Sequence, residues 1–156
     1  MTKRKYHSLV SPYLMWLIVV IGIVAVFAIF SVEYLVDPHP VLYVLSGIAF
    51  AYWLYFFMKG VTANLQASFR PHHITKLITT GVYSKLRHPI YSADIVLAWG
   101  VALTYPTIAM LFAVVWTTVV MLTWIYLEEK ALIELFGDEY LEYRKRVPML
   151  FPLKRI

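Results

Sequence analysis

The chain of 156 residues contains no cysteine. That excludes disulfides, thiol nucleophiles and thiolate metal sites at the outset. Charge is nearly as scarce: 15% of residues are charged and 61% are hydrophobic, against roughly 25% and 45–50% in soluble domains. A single soluble core cannot hide that much apolar side chain, so the composition points to a membrane protein. The length leaves room for one domain, expected to cover residues 1–156. The formal net charge is +5, but the basic residues sit at the ends of segments and form no contiguous stripe. A nucleic-acid partner is therefore not expected, and the partner the composition implies is a lipid bilayer.

The placement of the few charges is informative. Four apolar spans can be drawn, about Tyr13 to Val36, Val41 to Met58, Ile90 to Tyr105 and Thr107 to Leu127. A bilayer crossing takes roughly 17 to 25 helical residues, so the third span is short and is expected to borrow Pro89 or to tilt its neighbours. The connections after spans one and three, Asp37-Pro38-His39-Pro40 and Tyr105-Pro106, hold no Lys or Arg. All 14 basic residues fall on the other side, from Lys3, Arg4 and Lys5 through Lys59, Arg70, Lys76, Lys85 and Arg87 to Lys130, Arg144, Lys145, Arg146, Lys154 and Arg155. The positive-inside rule then assigns both termini and the 59–88 segment to the cytoplasm. The first apolar run exceeds the 7 to 15 residues of a signal core, so it is read as a retained helix.

Between the spans the pattern changes. Ile74, Leu77 and Ile78 share a helical face opposite Thr75 and Lys76, which predicts a short interfacial helix ended by Gly81. Pro89 suits the first turn of the third span, where a missing N–H costs nothing. From Glu128 to Arg146, apolar residues at helical spacing predict an amphipathic cytosolic cap, and Val147-Pro148 and Phe151-Pro152 bring the tail back over the same face. The expected fold is all-α: about four transmembrane helices with interfacial and C-terminal amphipathic helices. His72-His73 is read as a loop pair and not as a metal site, because adjacent histidines point apart and no third ligand is evident.

Spans three and four form a hairpin, which returns the chain to the membrane face it left. Arg87-His88-Pro89-Ile90-Tyr91 at its entrance should therefore meet Glu128-Glu129 at its exit. Each piece alone has an ordinary explanation, as a topology signal or as solvated acids at a helix start. Their convergence suggests a site. Asp94 lies about one turn inside the third span. An acid at that depth is either functional or a helix-start residue at headgroup level.

The run from Leu77 through Gly81-Val-Tyr83 and Arg87-His88-Pro89-Ile90-Tyr91, followed by Glu128-Glu129, Leu132, Phe136-Gly137, Glu139-Tyr140, Tyr143, Val147-Pro148 and Pro152, resembles the isoprenylcysteine carboxyl methyltransferase and phospholipid methyltransferase family. The resemblance covers roughly the C-terminal half. It implies an integral membrane enzyme that binds S-adenosylmethionine at the cytosolic side and methylates a lipophilic acceptor. Residues 1–60 would then be an N-terminal helical pair and 61–156 the cofactor-binding half. The family's cofactor contacts carry over to Arg87, His88, Tyr91, Glu128 and Glu129, with Tyr83 and Tyr126 as further aromatic candidates for the sulfonium. Ser92-Ala93 departs from the family's small pair ending in Gly. Carboxylates can take the cofactor's ammonium or ribose hydroxyls, and Arg87 or His88 its carboxylate. His88, Arg87 and Glu129 are the expected catalytic residues, His88 being the base by residue type if the acceptor is an amine or thiol. The acceptor stays open among isoprenylcysteine carboxylate, a phospholipid amine and a smaller lipophilic thiol or acid. Tyr91-Ser-Ala-Asp94 with Trp99 also looks like NADPH-dependent membrane sterol reductases, and a non-catalytic membrane scaffold is the third reading.

Overall fold

A computed structural model describes residues 11–37, 39–63 and 76–152. Among these residues the helices are α1 (Pro12–Ile29), α2 (Pro40–Ala63), α3 (Pro89–Thr104), α4 (Ile108–Phe136) and α5 (Asp138–Arg146), with a 3-10 turn at Gly81–Ser84 before α3. Three of them, α1, α2 and α4, are long and apolar enough to cross a membrane, and α3 is a shorter apolar helix of 16 residues. The protein is thus all-α and multi-pass. Lys3, Arg4, Lys5, Arg70, His72, His73, Ile74, Thr75, Lys154 and Arg155 lie outside the described residues.

The helices pair as α1 on α4, α3 on α4, and α2 on α3. Small residues permit the close approaches. A Cβ on Gly100 of α3 would come 2.5 Å from the Ala49 side chain of α2, and one on Gly22 of α1 would collide with the Trp116 indole of α4. Without a hydrophobic drive between helices in lipid, such close contacts and a few hydrogen bonds supply the association. The Trp116 indole N–H donates to the Ile18 carbonyl at 3.3 Å, and Phe30 stacks on Phe112. Met15, Val19, Ile95, Val120, Met121, Trp124, Ile125 and Leu150 form the main core, where α1, α3, α4 and the C-terminal tail meet.

The first span is shorter than its composition suggests. α1 stops at Ile29, and the chain beyond it is non-helical, with bends at Phe30, Glu33, Leu35 and Val36, instead of staying helical to Val36. The backbone there finds partners in the α3–α4 turn. Leu35 N–H donates to the Pro106 carbonyl at 2.8 Å, Ala109 N–H to Ser31 at 3.1 Å, and Tyr34 pairs with Thr107. Thr107 then caps α4 by accepting from the Met110 N–H.

Two local expectations are revised at the opposite end. Lys76 to Thr80 is not helical. Leu77 packs on Tyr140, Tyr143 and Val147, whereas Ile78 packs on the cluster of Phe56, Val82 and Leu86. Neighbours pointing to opposite sides is the habit of extended chain. Nor does a separate cap begin at Glu128, because α4 runs unbroken to Phe136 and the break falls at Gly137, with φ +55°. Only glycine takes that conformation without strain. The apolar stretch of α4 ends at Leu127, and Glu128–Phe136 carries three glutamates and a lysine. At about 43 Å for 29 residues the helix outruns a hydrocarbon layer of about 30 Å. Its last turns therefore project beyond the bilayer core, and α5 turns back from them.

Candidate active site

Gly81, at φ +64°, turns the chain into the 3-10 turn, and Pro89 occupies the first turn of α3 with His88 as its N-cap. Arg87 and His88 are thereby presented at the mouth of the α3–α4 hairpin. The tail that follows α5 lies directly across them. Arg87 N–H donates to the Pro148 carbonyl at 2.9 Å, His88 N–H to Met149 at 3.1 Å, and the Ser92 hydroxyl to Leu150 at 2.5 Å. The return of the tail over this face, expected from Val147-Pro148, is what the structure has.

Under that strap the charged side chains interlock. Arg87 donates from Nε to Glu129 Oε1 at 2.8 Å, and its Nη2 lies 2.7 Å from the same oxygen. Its Nη1 donates to the Val147 carbonyl at 2.7 Å and to the Arg144 carbonyl at 3.0 Å. The fork of the guanidinium thus ties helix, hairpin mouth and strap together, a task lysine cannot perform. His88 Nε2 lies 3.2 Å from Glu129 Oε1, and Arg144 Nε lies 3.4 Å from Oε2. Arg87, His88 and Glu129 are all buried, at 8%, 4% and 7% exposure. Burial by itself would raise the Glu129 carboxyl; the hydrogen bonds from His88 and Arg87 and their charges outweigh it and hold the group at about 2.

The two adjacent glutamates therefore differ. Glu129 faces inward and is fully engaged, whereas Glu128 is partly exposed and lies 4.0 Å from His88 Nδ1. Tyr91, half-buried, packs edge-on against the His88 ring and lies within reach of the Glu128 charge. Arg87, His88, Tyr91, Glu128 and Glu129 are thus brought together. Tyr83 closes the α2 side, donating to the Gly60 carbonyl at 3.4 Å while its own carbonyl accepts from the Tyr143 hydroxyl at 2.6 Å. Tyr126 is turned outward, 69% exposed. Ser92 and Ala93 serve packing: Ser92 bonds Tyr52 and the strap, and Ala93 packs in the cluster of Phe56 and Leu86. The substitution of Ala for Gly there bears on helix pairing with α2.

The roles of three further residues are not legible in the sequence, although Tyr140 and Tyr143 stand in the family pattern. Arg144 adds a second cation to Glu129, and Tyr143 anchors α5 to the 3-10 turn. Tyr140 is 1% exposed, and its hydroxyl lies beside the Glu129 carboxylate, close enough to feel its charge. Burial and that charge push it above the ordinary tyrosine range. The Tyr140 and Tyr143 rings lie on the inner face of α5, in one core cluster with Leu77 and Val147. No group of three or more potential metal ligands is found among the described residues.

Fold and site together define a multi-pass helical membrane protein with a buried arginine–histidine–glutamate cluster at one end of its bundle. The phospholipid methyltransferase family matches residues 38–139, and the chain belongs to that family. It is 37% identical over 122 residues to methanethiol S-methyltransferase 1 of Bradyrhizobium diazoefficiens, covering 71% of this chain and 42% of that protein. It is 43% identical over 89 residues to protein-S-isoprenylcysteine O-methyltransferase B of Arabidopsis thaliana, covering 52% of this chain and 41% of that one. With human protein-S-isoprenylcysteine O-methyltransferase the identity is 42% over 84 residues, covering 49% of this chain and 27% of that protein. The chain spans under half the length of each of these three relatives.

Proposed function

We propose that the protein transfers a methyl group from S-adenosylmethionine to a lipophilic acceptor at the basic face of the membrane. The observation that carries this reading is the buried Arg87–His88–Glu129 cluster beside a partly exposed Glu128, in a chain of the phospholipid methyltransferase family. The family match supports it against the reductase and scaffold alternatives. The residues present fit the donor. Its ammonium and ribose hydroxyls need acceptors, which Glu128 offers; its carboxylate needs a cation, which Arg144 and Arg87 supply; and its sulfonium suits the face of Tyr91. When bound, the donor supplies an activated methyl with a good leaving group, so the protein's work is placement and exclusion of water.

In this reading Glu129 acts by fixing Arg87 and His88, Glu128 by touching the donor, and Tyr83 by closing the wall towards α2. Residues 61–156 hold the donor, and α1 and α2 flank them. The single-sided distribution of Lys and Arg supports a cytoplasmic site with both termini on the same side. The test is calorimetric binding of S-adenosylhomocysteine to the detergent-purified protein. Binding in the micromolar range, weakened about tenfold or more by Glu128→Gln with the thermal transition unchanged, is the expected result. Failure of the wild-type protein to bind would overturn the reading.

A further inference from the structure

Asp94 is the one acid embedded within α3, and the cluster described above does not use it. It is the sixth residue of a helix that starts at Pro89, and no acid lies in the first turn. The helix-dipole explanation for an acid near a helix start fades beyond that turn, so it does not account for Asp94. An acid within a membrane helix is costly and marks function by default. Its carboxylate is held in one place, since Oδ1 accepts from the Trp53 indole of α2 at 3.0 Å. No hydrogen bond to Oδ2 and no ion pair of Asp94 occurs among the described residues.

Its place relative to the donor site is set by helix geometry. Asp94 follows Tyr91 by three residues, about 4.5 Å along the axis and on a neighbouring part of the helix face. Tyr91 packs edge-on against the His88 ring, whose Nδ1 lies 4.0 Å from Glu128. The order along the bundle is therefore Glu128 at the polar rim, Tyr91 next, and Asp94 about one turn deeper in the apolar helix α3. His88, the base expected from residue type, is 4% exposed and has its Nε2 against Glu129.

We propose that Asp94 receives the methyl acceptor and selects one that carries a proton on its nucleophilic atom, a thiol or an amine, over a carboxylate. The proposal rests on the methyl-transfer reading above. A thiol or ammonium has a hydrogen to give to the open carboxylate oxygen, whereas a carboxylate acceptor would set a second negative charge against it in a poorly screened place. The thiol proton passes to Asp94. The sulfur pair then forms the bond to the methyl carbon, and the donor's carbon–sulfur bond breaks with its electron pair left on the donor sulfur. An ammonium acceptor gives up its proton to the same carboxylate before its nitrogen pair is free. Of the acceptors left open by the sequence, isoprenylcysteine carboxylate is the one this charge disfavours.

The experiment uses the full chain in detergent and three acceptors of equal length, octanethiol, octylamine and octanoate, with labelled S-adenosylmethionine. The wild-type protein is expected to methylate the thiol or the amine at least about 100-fold better than octanoate in kcat/KM. Asp94→Asn keeps a carbonyl oxygen for Trp53 and should leave S-adenosylhomocysteine binding unchanged. It should lower kcat for the favoured acceptor about 10²-fold or more, the usual contribution of a proton acceptor, without lowering it for octanoate. Asp94→Glu should recover part of the loss. Calorimetry of octylamine on the protein saturated with S-adenosylhomocysteine should show about tenfold weaker binding in Asp94→Asn. A preference for octanoate, or an equal loss with all three acceptors, overturns this proposal alone. Absence of S-adenosylhomocysteine binding to the wild-type protein overturns the methyl-transfer reading and this proposal with it.

Discussion

The two ends of the bundle do the same mechanical job with different chemistry. At one end the non-helical chain after α1 meets the α3–α4 turn through backbone bonds, Leu35 to Pro106 and Ala109 to Ser31, with Tyr34 set edge-on against Tyr105. At the other, the hairpin mouth meets the strap and α5 through Arg87, His88, Glu129 and Arg144. Backbone pairing and an aromatic contact suffice to close the first end. Burying an ion pair confers little net stability once desolvation is counted. The second end therefore holds more charge than closure requires.

Breaking the charged end should cost most. Glu129→Ala leaves Arg87 and His88 buried without their counter-charge, and a loss of about 3–5 kcal/mol is expected from thermal unfolding in detergent, with donor binding abolished. The pH dependence sharpens the same contrast. Glu129 is held at about 2 against an ordinary 4.5, so its stabilising contribution is full above about pH 4.5 and is lost as pH falls towards 2. The wild-type advantage over Glu129→Gln in unfolding temperature should shrink across that window and stay constant above it. Tyr143→Phe removes the 2.6 Å bond to the buried Tyr83 carbonyl and should cost about 1–3 kcal/mol, with faster backbone hydrogen exchange in α5. Tyr34→Ala at the other end, which is closed without an ion pair among the described residues, loses one half-exposed ring contact and should cost about 0.5–1.5 kcal/mol, with donor binding unchanged. Equal effects from Tyr34→Ala and Glu129→Ala would erase the distinction between the ends.

Much of this was legible residue by residue. Pro89 marked the start of α3, Val147-Pro148 the return of the tail, and the Arg-His-Pro turn and paired glutamates the two sides of the site. The register of the Glu128-Glu129 pair was not. Both are the same residue type, and only the rotation of α4 puts one inward and the other at the rim. The end of α1 at Ile29 and the non-helical Lys76–Thr80 segment were not legible either, because apolar residues near a membrane satisfy helix and strand patterns alike. Helices that are apolar all round carry no amphipathic stripe to say which face meets which neighbour.

By itself the sequence determined the class of solvent, the approximate spans, the hairpin that brings Arg87 to Glu129, and the family pattern, because composition and chain continuity act locally. The tertiary structure decided which helices pair, which glutamate is buried, that the tail's carbonyls at Val147, Pro148 and Met149 hold Arg87 and His88, and that Trp53 holds Asp94. Those choices depend on contacts between residues about 40 to 100 positions apart, and in a uniformly apolar chain only packing in three dimensions distinguishes one such pairing from another.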